Sequence, residues 1–369
     1  MLRVLHVIGK MDRAGAESFI MNLYRNVDKA QIQFDFLVFS YDQGDYDREI
    51  MSLGGKIYRM PSFKGYNYWD LYRRFEKFFK EHPYKVVHGH IGSLAPAYLY
   101  WAKKNGAYTI AHSHATNSSN WIKKKIYWLL SHNVTKVADH FFACSYQAGK
   151  DRFGSEIVGQ NNFAIIKNCV TTSMFQYSIR RHDELKKKFQ LEDKFVIGHV
   201  GRFTEAKNHK FLLVVFKEII KKIDNAELLL VGRGELESEI RKIVKDEGIE
   251  RKVQFMGVRD DIPDMMNLFD VFLFTSLYEG LGNVCIEAQA AGLPCFVSTA
   301  IQDEAIITGN VWRYPLNWTP EKWADEIINQ LNTFNRKDEI QAVIDSGYDA
   351  EQVAETLTQF YRTCRQTKK

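Results

Sequence analysis

Two hydrophobic periods alternate along the chain. Short runs rich in β-branched and aromatic residues are apolar at nearly every position, and between them lie longer stretches in which apolar residues recur every three or four positions. The short runs predict strands buried on both faces, and the longer stretches predict amphipathic helices that return the chain to the same end of a parallel sheet. Leu2 to Ile8 is the first strand. A loop from Gly9 to Gly15 follows, and a helix opens at Ala16. Phe34 to Phe39, Lys56 to Arg59, Val86 to Gly89, Tyr108 to His114, Asp139 to Tyr146 and Phe163 to Val170 read as further strands. Trp69 to Phe79 predicts a helix with Leu71, Phe75, Phe78 and Phe79 inward and Arg73, Arg74, Lys77 and Lys80 outward. Trp121 to Leu130 predicts another.

The polar run from Thr171 to Ser178 reads as a linker, and Arg180 to Lys188 as a charged helix. The alternation then begins again. Phe195 to Val200, Glu227 to Val231, Val253 to Val258, Val271 to Thr275 and Pro294 to Ser298 predict strands. Helices are expected from about Phe211, at Ile262 to Phe269, at Asn283 to Ala291, and at Asp349 to Arg365 with Val353, Leu357, Phe360 and Tyr361 inward. Strand, loop and helix repeated in this way predict two doubly wound α/β domains, over 1–177 and 178–348.

The length of 369 residues agrees with two domains. No apolar run is long enough to span a bilayer. The chain enters a strand almost at Met1, so no signal peptide is expected. Its five cysteines are scattered without metal-ligand spacing, which predicts a reducing, cytoplasmic setting and neither a disulfide framework nor a zinc site. The net charge of +5 is uneven: residues 1–177 carry 23 Lys and Arg against 14 Asp and Glu, and residues 178–369 carry 27 against 31. A basic first half suits an anionic partner such as a membrane surface. Lys123, Lys124 and Lys125, beside Trp121 and Trp128, are the candidate peripheral contact. An ordinary surface helix with its Trp residues inward remains the alternative. No nucleic-acid-binding motif accompanies the charge.

Candidate chemistry gathers where strands end. After Val271 to Thr275 comes Glu279-Gly280-Leu281-Gly282-Asn283, then a helix carrying Glu287. The glycines permit a tight turn, and the free N–H groups of the helix start form an anion site. Gly201 ends another strand, and Arg202 and Lys207 follow in its loop. Two cations five residues apart suit a diphosphate, Arg as a fork and Lys as a point charge. Gly232 and Gly257 mark turns after the next two strands. In the first half, Gly15 precedes a helix, without the spacing of a dinucleotide-binding fingerprint. Tyr108 to His114 ends in two histidines, His112 and His114, at a strand terminus where ligands collect. They show no further metal ligands in sequence, which makes zinc improbable. Asp45-Tyr-Asp47 reads as a solvated loop.

Taken in order, Gly201-Arg202-x4-Lys207, Val231-Gly232-x-Gly234, Phe255-x-Gly257 and Glu279-Gly280-x-Gly282-x4-Glu287 resemble the C-terminal half of the retaining family 4 glycosyltransferases. Ala14-Gly15-Ala16-Glu17 resembles that family's Gly-Gly-Ala-Glu, and the resemblance is to bacterial capsular and exopolysaccharide enzymes. It departs at Ala14, at Arg233 and at Asn168-Cys169. It implies a GT-B fold, two Rossmann-like domains facing each other across a deep cleft, with the helix of 349–369 completing the first. It implies a nucleotide-sugar donor, most often a UDP-sugar, and a glycan or polyprenyl-diphosphate-linked acceptor, with no cofactor. Arg202 and Lys207 would hold the diphosphate, Glu279 the donor sugar, and Glu287 the ribose hydroxyls. The backbone around Gly280, Leu281, Gly282 and Asn283 would grip sugar and phosphate, and that near Gly257 and Val258 would meet the base. Gly15 would approach phosphate or acceptor, and His114 or His112 the transferred sugar. Fixed cations and a helix terminus at the leaving phosphate would make Mg²⁺ unnecessary. A sugar-nucleotide 2-epimerase of similar architecture and a silent nucleotide-sugar-binding partner stay open as other readings.

Overall fold

The apolar runs become strands, and every pairing recorded among the described residues is parallel. The computed structural model describes residues 1–114 and 133–364. The predicted helix around Lys123 to Lys125 lies outside the described residues. The chain forms two units: Met1–Cys169 with Asp349–Lys369, and Val170–Tyr348.

The first unit holds β1 (Leu2–Ile8), β2 (Ile32–Val38), β3 (Ile57–Arg59), β4 (Val86–Gly89), β5 (Tyr108–Ser113), β6 (His140–Ala143) and β7 (Phe163–Ile165). They lie in the order β3-β2-β1-β4-β5-β6-β7, so the winding reverses between β1 and β4. One face is covered by the helices Gly15–Asn26 and Ala350–Cys364, through Phe19, Leu23, Tyr24, Leu357 and Tyr361. The other is covered by Tyr68–Glu81 and Ala95–Lys104. Leu71, Phe75, Phe78 and Phe79 all point into that core, as their spacing predicts.

The second unit holds β8 (Phe195–Val200), β9 (Ala226–Val231), β10 (Val253–Gly257), β11 (Val271–Phe274), β12 (Cys295–Ser298) and β13 (Val311–Tyr314), in the order β10-β9-β8-β11-β12-β13. Its winding reverses between β8 and β11. Residues 171–178, read from sequence as linker, belong to this unit, as does Val170, read as the end of a strand of the first half. Val170 N–H donates to Tyr348 O at 2.8 Å, and Val170 and Phe175 are buried in its core. The polar neighbours of Phe175 hide that anchor from a composition reading. Arg336 is half-buried and has no ion pair among the described residues. It donates instead to the carbonyls of Met266, Phe269 and Ala291, which closes the ends of two helices, and burial pulls its pKa down to about 10.

The C-terminal ends of three adjacent strands are knitted by glycine. Gly201 N–H donates to Val231 O at 2.9 Å, and Gly232 N–H donates to Gly257 O at 2.8 Å. Gly232 has φ +137°, and a Cβ there would lie 2.0 Å from Gly201 O. Both the conformation and the space exclude a side chain. Gly232→Ala is expected to cost about 2 kcal/mol or more. Calorimetry should show a lowered melting transition for this unit, and an unchanged thermogram would contradict the packing described.

Candidate active site

Two loops at the reversal point of the second sheet carry the predicted charges. The loop after β8 is tied to the loop after β11: Leu277 N–H donates to Ala206 O at 2.8 Å, and Thr275 Oγ1 donates to Asn208 O at 3.2 Å. This docking brings together side chains 72 residues apart. Lys207 Nζ lies 2.6 Å from Glu279 Oε1, which also accepts from Ser276 Oγ at 2.7 Å. Lys207 Nζ stands 4.5 Å from the centre of the Phe274 ring, where the face of the ring favours a cation. The pair is largely withdrawn from water, at 17% and 12% side-chain exposure, so removing one partner strands the other. Arg202 is exposed beside them, with no ion pair among the described residues.

Of the two glycines after Glu279, only Gly282 takes positive φ, +82°. That left-handed turn starts the helix Asn283–Ala290. Leu281 buries its side chain in the core, which leaves only its backbone for a ligand. Asn283 Oδ1 is shielded from solvent and has no partner. Glu287 lies on the same helix and keeps some exposed area. Its carboxyl nevertheless sits among packed atoms with no recorded hydrogen bond, and desolvation pushes its pKa up to about 7. Gly257, with φ +65°, and the exposed Val258 end β10. Beneath the cation loop lie two buried histidines that the sequence reading left aside. His199 bonds Leu273 O through Nδ1 at 2.9 Å, and His209 stacks on Phe203; burial keeps both rings neutral at pH 7.

In the first unit, Gly15 begins the 12-residue helix Gly15–Asn26. Its φ is not positive, and a Cβ there would meet nothing within 4 Å. The fold does not require glycine at this position, and the open space leaves the helix start approachable.

His112 and His114 do not stand alone. His88 and His90, from the end of β4, lie beside them, and His6 of β1 lies beside His90. His6 Nδ1 is 3.0 Å from His90 Nε2, and His90 Nδ1 is 2.7 Å from His114 Nε2. His88 Nε2 is 3.1 Å from His112 Nδ1, and its Nδ1 is 2.6 Å from the Tyr361 hydroxyl. His114 Nδ1 faces Asn168 Oδ1 at 3.5 Å. Burial holds all five rings below the ordinary imidazole range, His114 at about 4 and His6 at about 3. The expectation that His112 and His114 lack further candidate ligands is therefore corrected. His90 joins them, with one ring nitrogen from each of the three within 4.8 Å of the others. Their alternate spacing, His88/His90 and His112/His114, was the available signal. It could not reveal that β4 and β5 are neighbours, or that β1 lies on the other side of β4. A concavity lined by Arg3, Asp35, Lys56 and Tyr84 lies at the opposite edge of this sheet, away from these residues.

Two family models match the chain. One, described as Glycosyltransferase Family 4, covers residues 13–173, and the other, described as Glycosyl transferases group 1, covers 194–333. The "Putative glycosyltransferase EpsF" of Bacillus subtilis is 34% identical over 97% of this chain and 96% of its own length. The chain belongs to glycosyltransferase family 4. The "Capsular polysaccharide biosynthesis glycosyltransferase CapH" of Staphylococcus aureus is 24% identical over 98% of this chain and 99% of its own. This family 4 chain is similar in fold to Anabaena Alr3699/HepE, solved in complex with UDP and glucose. The TM-score is 0.77 at 16% identity, over 98% of this chain and 100% of that one. The expected family and the GT-B class of two Rossmann-like domains stand. Among the described residues no helix is long and apolar enough to cross a membrane.

Glu287 gives the glycosyltransferase a specific pH signature. Its carboxyl holds a proton more tightly folded than unfolded, so folding is favoured while the group is protonated. Stability of the donor-free protein should decline as pH rises from the ordinary carboxylate range through about 7. Glu287→Gln should remove that part of the decline, measured as melting temperature against pH. An identical slope in the variant would refute the assignment.

Proposed function

We propose that this chain transfers a sugar, with retention of anomeric configuration, from a UDP-sugar to a glycan or lipid-linked glycan in capsular or exopolysaccharide synthesis. The observation that carries the reading is the Lys207–Glu279 pair beside the exposed Arg202 and the Gly282 turn. The UDP in the HepE structure and the capsular assignment of CapH support the donor and the product class.

Lys207 and Glu279 neutralise each other before the donor arrives. On binding, the diphosphate takes Lys207 and Arg202, and the donor sugar's hydroxyls take Glu279. The Gly282–Asn283 backbone holds the distal phosphate, Glu287 accepts the ribose hydroxyls, and the backbone at Gly257 and Val258 meets the base. Gly15 approaches phosphate or acceptor, and His114 or His112 contacts the transferred sugar. Breaking the glycosyl–phosphate bond concentrates negative charge on the leaving phosphate. Fixed cations and N–H dipoles there stabilise the transition state more than the ground state, with no need for Mg²⁺ at the diphosphate. With Glu279 on the donor sugar's hydroxyls and Glu287 on the ribose, no carboxylate of the matched set is left poised as a nucleophile. The acceptor hydroxyl therefore attacks from the leaving-group side and passes its proton to the departing phosphate.

Incubation with UDP-sugars and a lipid-linked acceptor, followed by NMR of the product, tests the reading. Retained configuration and turnover independent of added Mg²⁺ are expected; an inverted product or a trapped glycosyl–enzyme adduct would reject the mechanism. Arg202→Ala and Lys207→Ala should each lower kcat by roughly 10²–10³-fold, and wild-type turnover in both would reject the roles given to them. Gly15→Ala should melt like the parent protein, because its Cβ enters open space, yet lose activity. Full activity in that variant would remove Gly15 from the site.

A further inference from the structure

The transfer reading asks only one sugar contact of His114 or His112 and leaves the pattern of the five clustered histidines unexplained. Each of three rings is held through one nitrogen and turns the other toward its neighbours. His90 is held at Nε2 by His6, His112 at Nδ1 by His88, and His114 at Nδ1 by Asn168. The nitrogens left over are His90 Nδ1, His112 Nε2 and His114 Nε2. Two of them, His90 Nδ1 and His114 Nε2, face each other at 2.7 Å. The third, His112 Nε2, is shielded from solvent and has no hydrogen-bond partner among the described residues. A ring fixed through one nitrogen by a second group, with the other nitrogen free, is the arrangement of metal-ligating histidines.

We propose that His90, His112 and His114 bind one divalent transition-metal ion of the zinc class. His6, His88 and Asn168 serve as the positioning groups behind the three ligands. Zinc–nitrogen bonds of about 2.0–2.1 Å put tetrahedral ligand nitrogens roughly 3.3 Å apart. The three candidate rings each place a nitrogen within 4.8 Å of the others, and closure requires rings to turn toward a common centre, out of the present stacking of His112 on His114. His90 and His114 are partly exposed and can turn, whereas His112 is buried and fixed. The ion replaces the proton now shared between His90 and His114. That proton moves to His90 Nε2, which then donates to His6 Nδ1, and His6 carries its own proton on Nε2. Every ring stays neutral. Three imidazoles leave a fourth position open for water or a hydroxyl of the transferred sugar, so with the ion bound the sugar contact of His114 or His112 would run through it. A second set, His6, His88 and His90, also gathers its nitrogens within 4.8 Å, but it shares His90 with the first, so one ion is expected rather than two. The hydroxyl of Tyr361 steadies His88 and thereby His112.

The site lies wholly within the first unit. Its test is binding, so it succeeds or fails independently of sugar transfer. The full chain is freed of metal by chelation and titrated with Co²⁺ alone. One equivalent per chain is expected, with the intense visible bands of a four- or five-coordinate ion, and stoichiometric Zn²⁺ should abolish them. His90→Ala and His114→Ala should each weaken Zn²⁺ binding at least ~100-fold, and Asn168→Ala by roughly 10-fold. His82→Ala, on a histidine outside the cluster, should bind as the parent does. His112 is buried and its replacement endangers folding, so the decisive variants are those of His90 and His114, with folding checked by circular dichroism. Pale six-coordinate Co²⁺ spectra, or bands that survive both substitutions, would overturn the proposal. So would ¹⁵N NMR showing intact N–H···N bonds between His90 and His114 with Zn²⁺ in excess.

Discussion

Parallel pairing is the constraint on which the rest of this protein depends. A strand paired in parallel with its predecessor must be reached by a crossover, so every strand enters its sheet from the same edge and leaves at the other. Both sheets obey this, and each reverses its winding once, between β1 and β4 and between β8 and β11. At those two places the loops diverge to opposite faces of the sheet and leave room for a ligand. The chemistry singled out along the chain lies at or beside them. Arg202 and Lys207 follow β8, and Glu279 follows β11. His6 lies in β1, His88 and His90 at the end of β4, and His112 and His114 at the end of the neighbouring β5.

Within the second unit, charge is stored in a form that a ligand can release. The Lys207–Glu279 pair, mostly out of water, compensates two charges that would be costly if left single. The two loops can thus carry opposite charges and still fold without a ligand. Glu287 solves the same difficulty differently. It has no ion pair among the described residues, and desolvation raises its pKa to about 7. Polar groups are thereby held in an environment that strengthens their later interactions, and the glycine contacts among Gly201, Gly232 and Gly257 bring the backbone close without intervening side chains.

The first unit takes the opposite course. Its polar focus is neutral: five imidazoles bonded in two sets, His6–His90–His114 backed by Asn168 and His88–His112 backed by Tyr361. Burial disfavours the imidazolium form in every ring, and each proton near it is a further penalty on the next. A cluster of lone pairs results at the end of a sheet in the half of the chain that carries the excess of Lys and Arg. The C-terminal helix Ala350–Cys364 supplies the Tyr361 hydroxyl, so a residue more than 270 positions away in sequence sets the orientation of His88.

The sequence by itself determined the fold class, the two-domain plan and the placing of Arg202, Lys207 and Glu279 after strand ends of the second unit. Each rests on local order: apolar period, glycine placement, and cations or carboxylates at fixed offsets from a strand end. Tertiary structure alone decided what those residues touch. It paired Lys207 with Glu279 across 72 positions, left Glu287 uncompensated, moved residues 170–177 into the second unit through buried Phe175, and left Gly15 glycine for reasons other than the fold. It also gathered His6, His88 and His90 around the two histidines visible as a motif. Spacing along a chain reports which face of one strand a residue occupies. Which strands become neighbours is set by the crossovers between them, and no single strand carries that information.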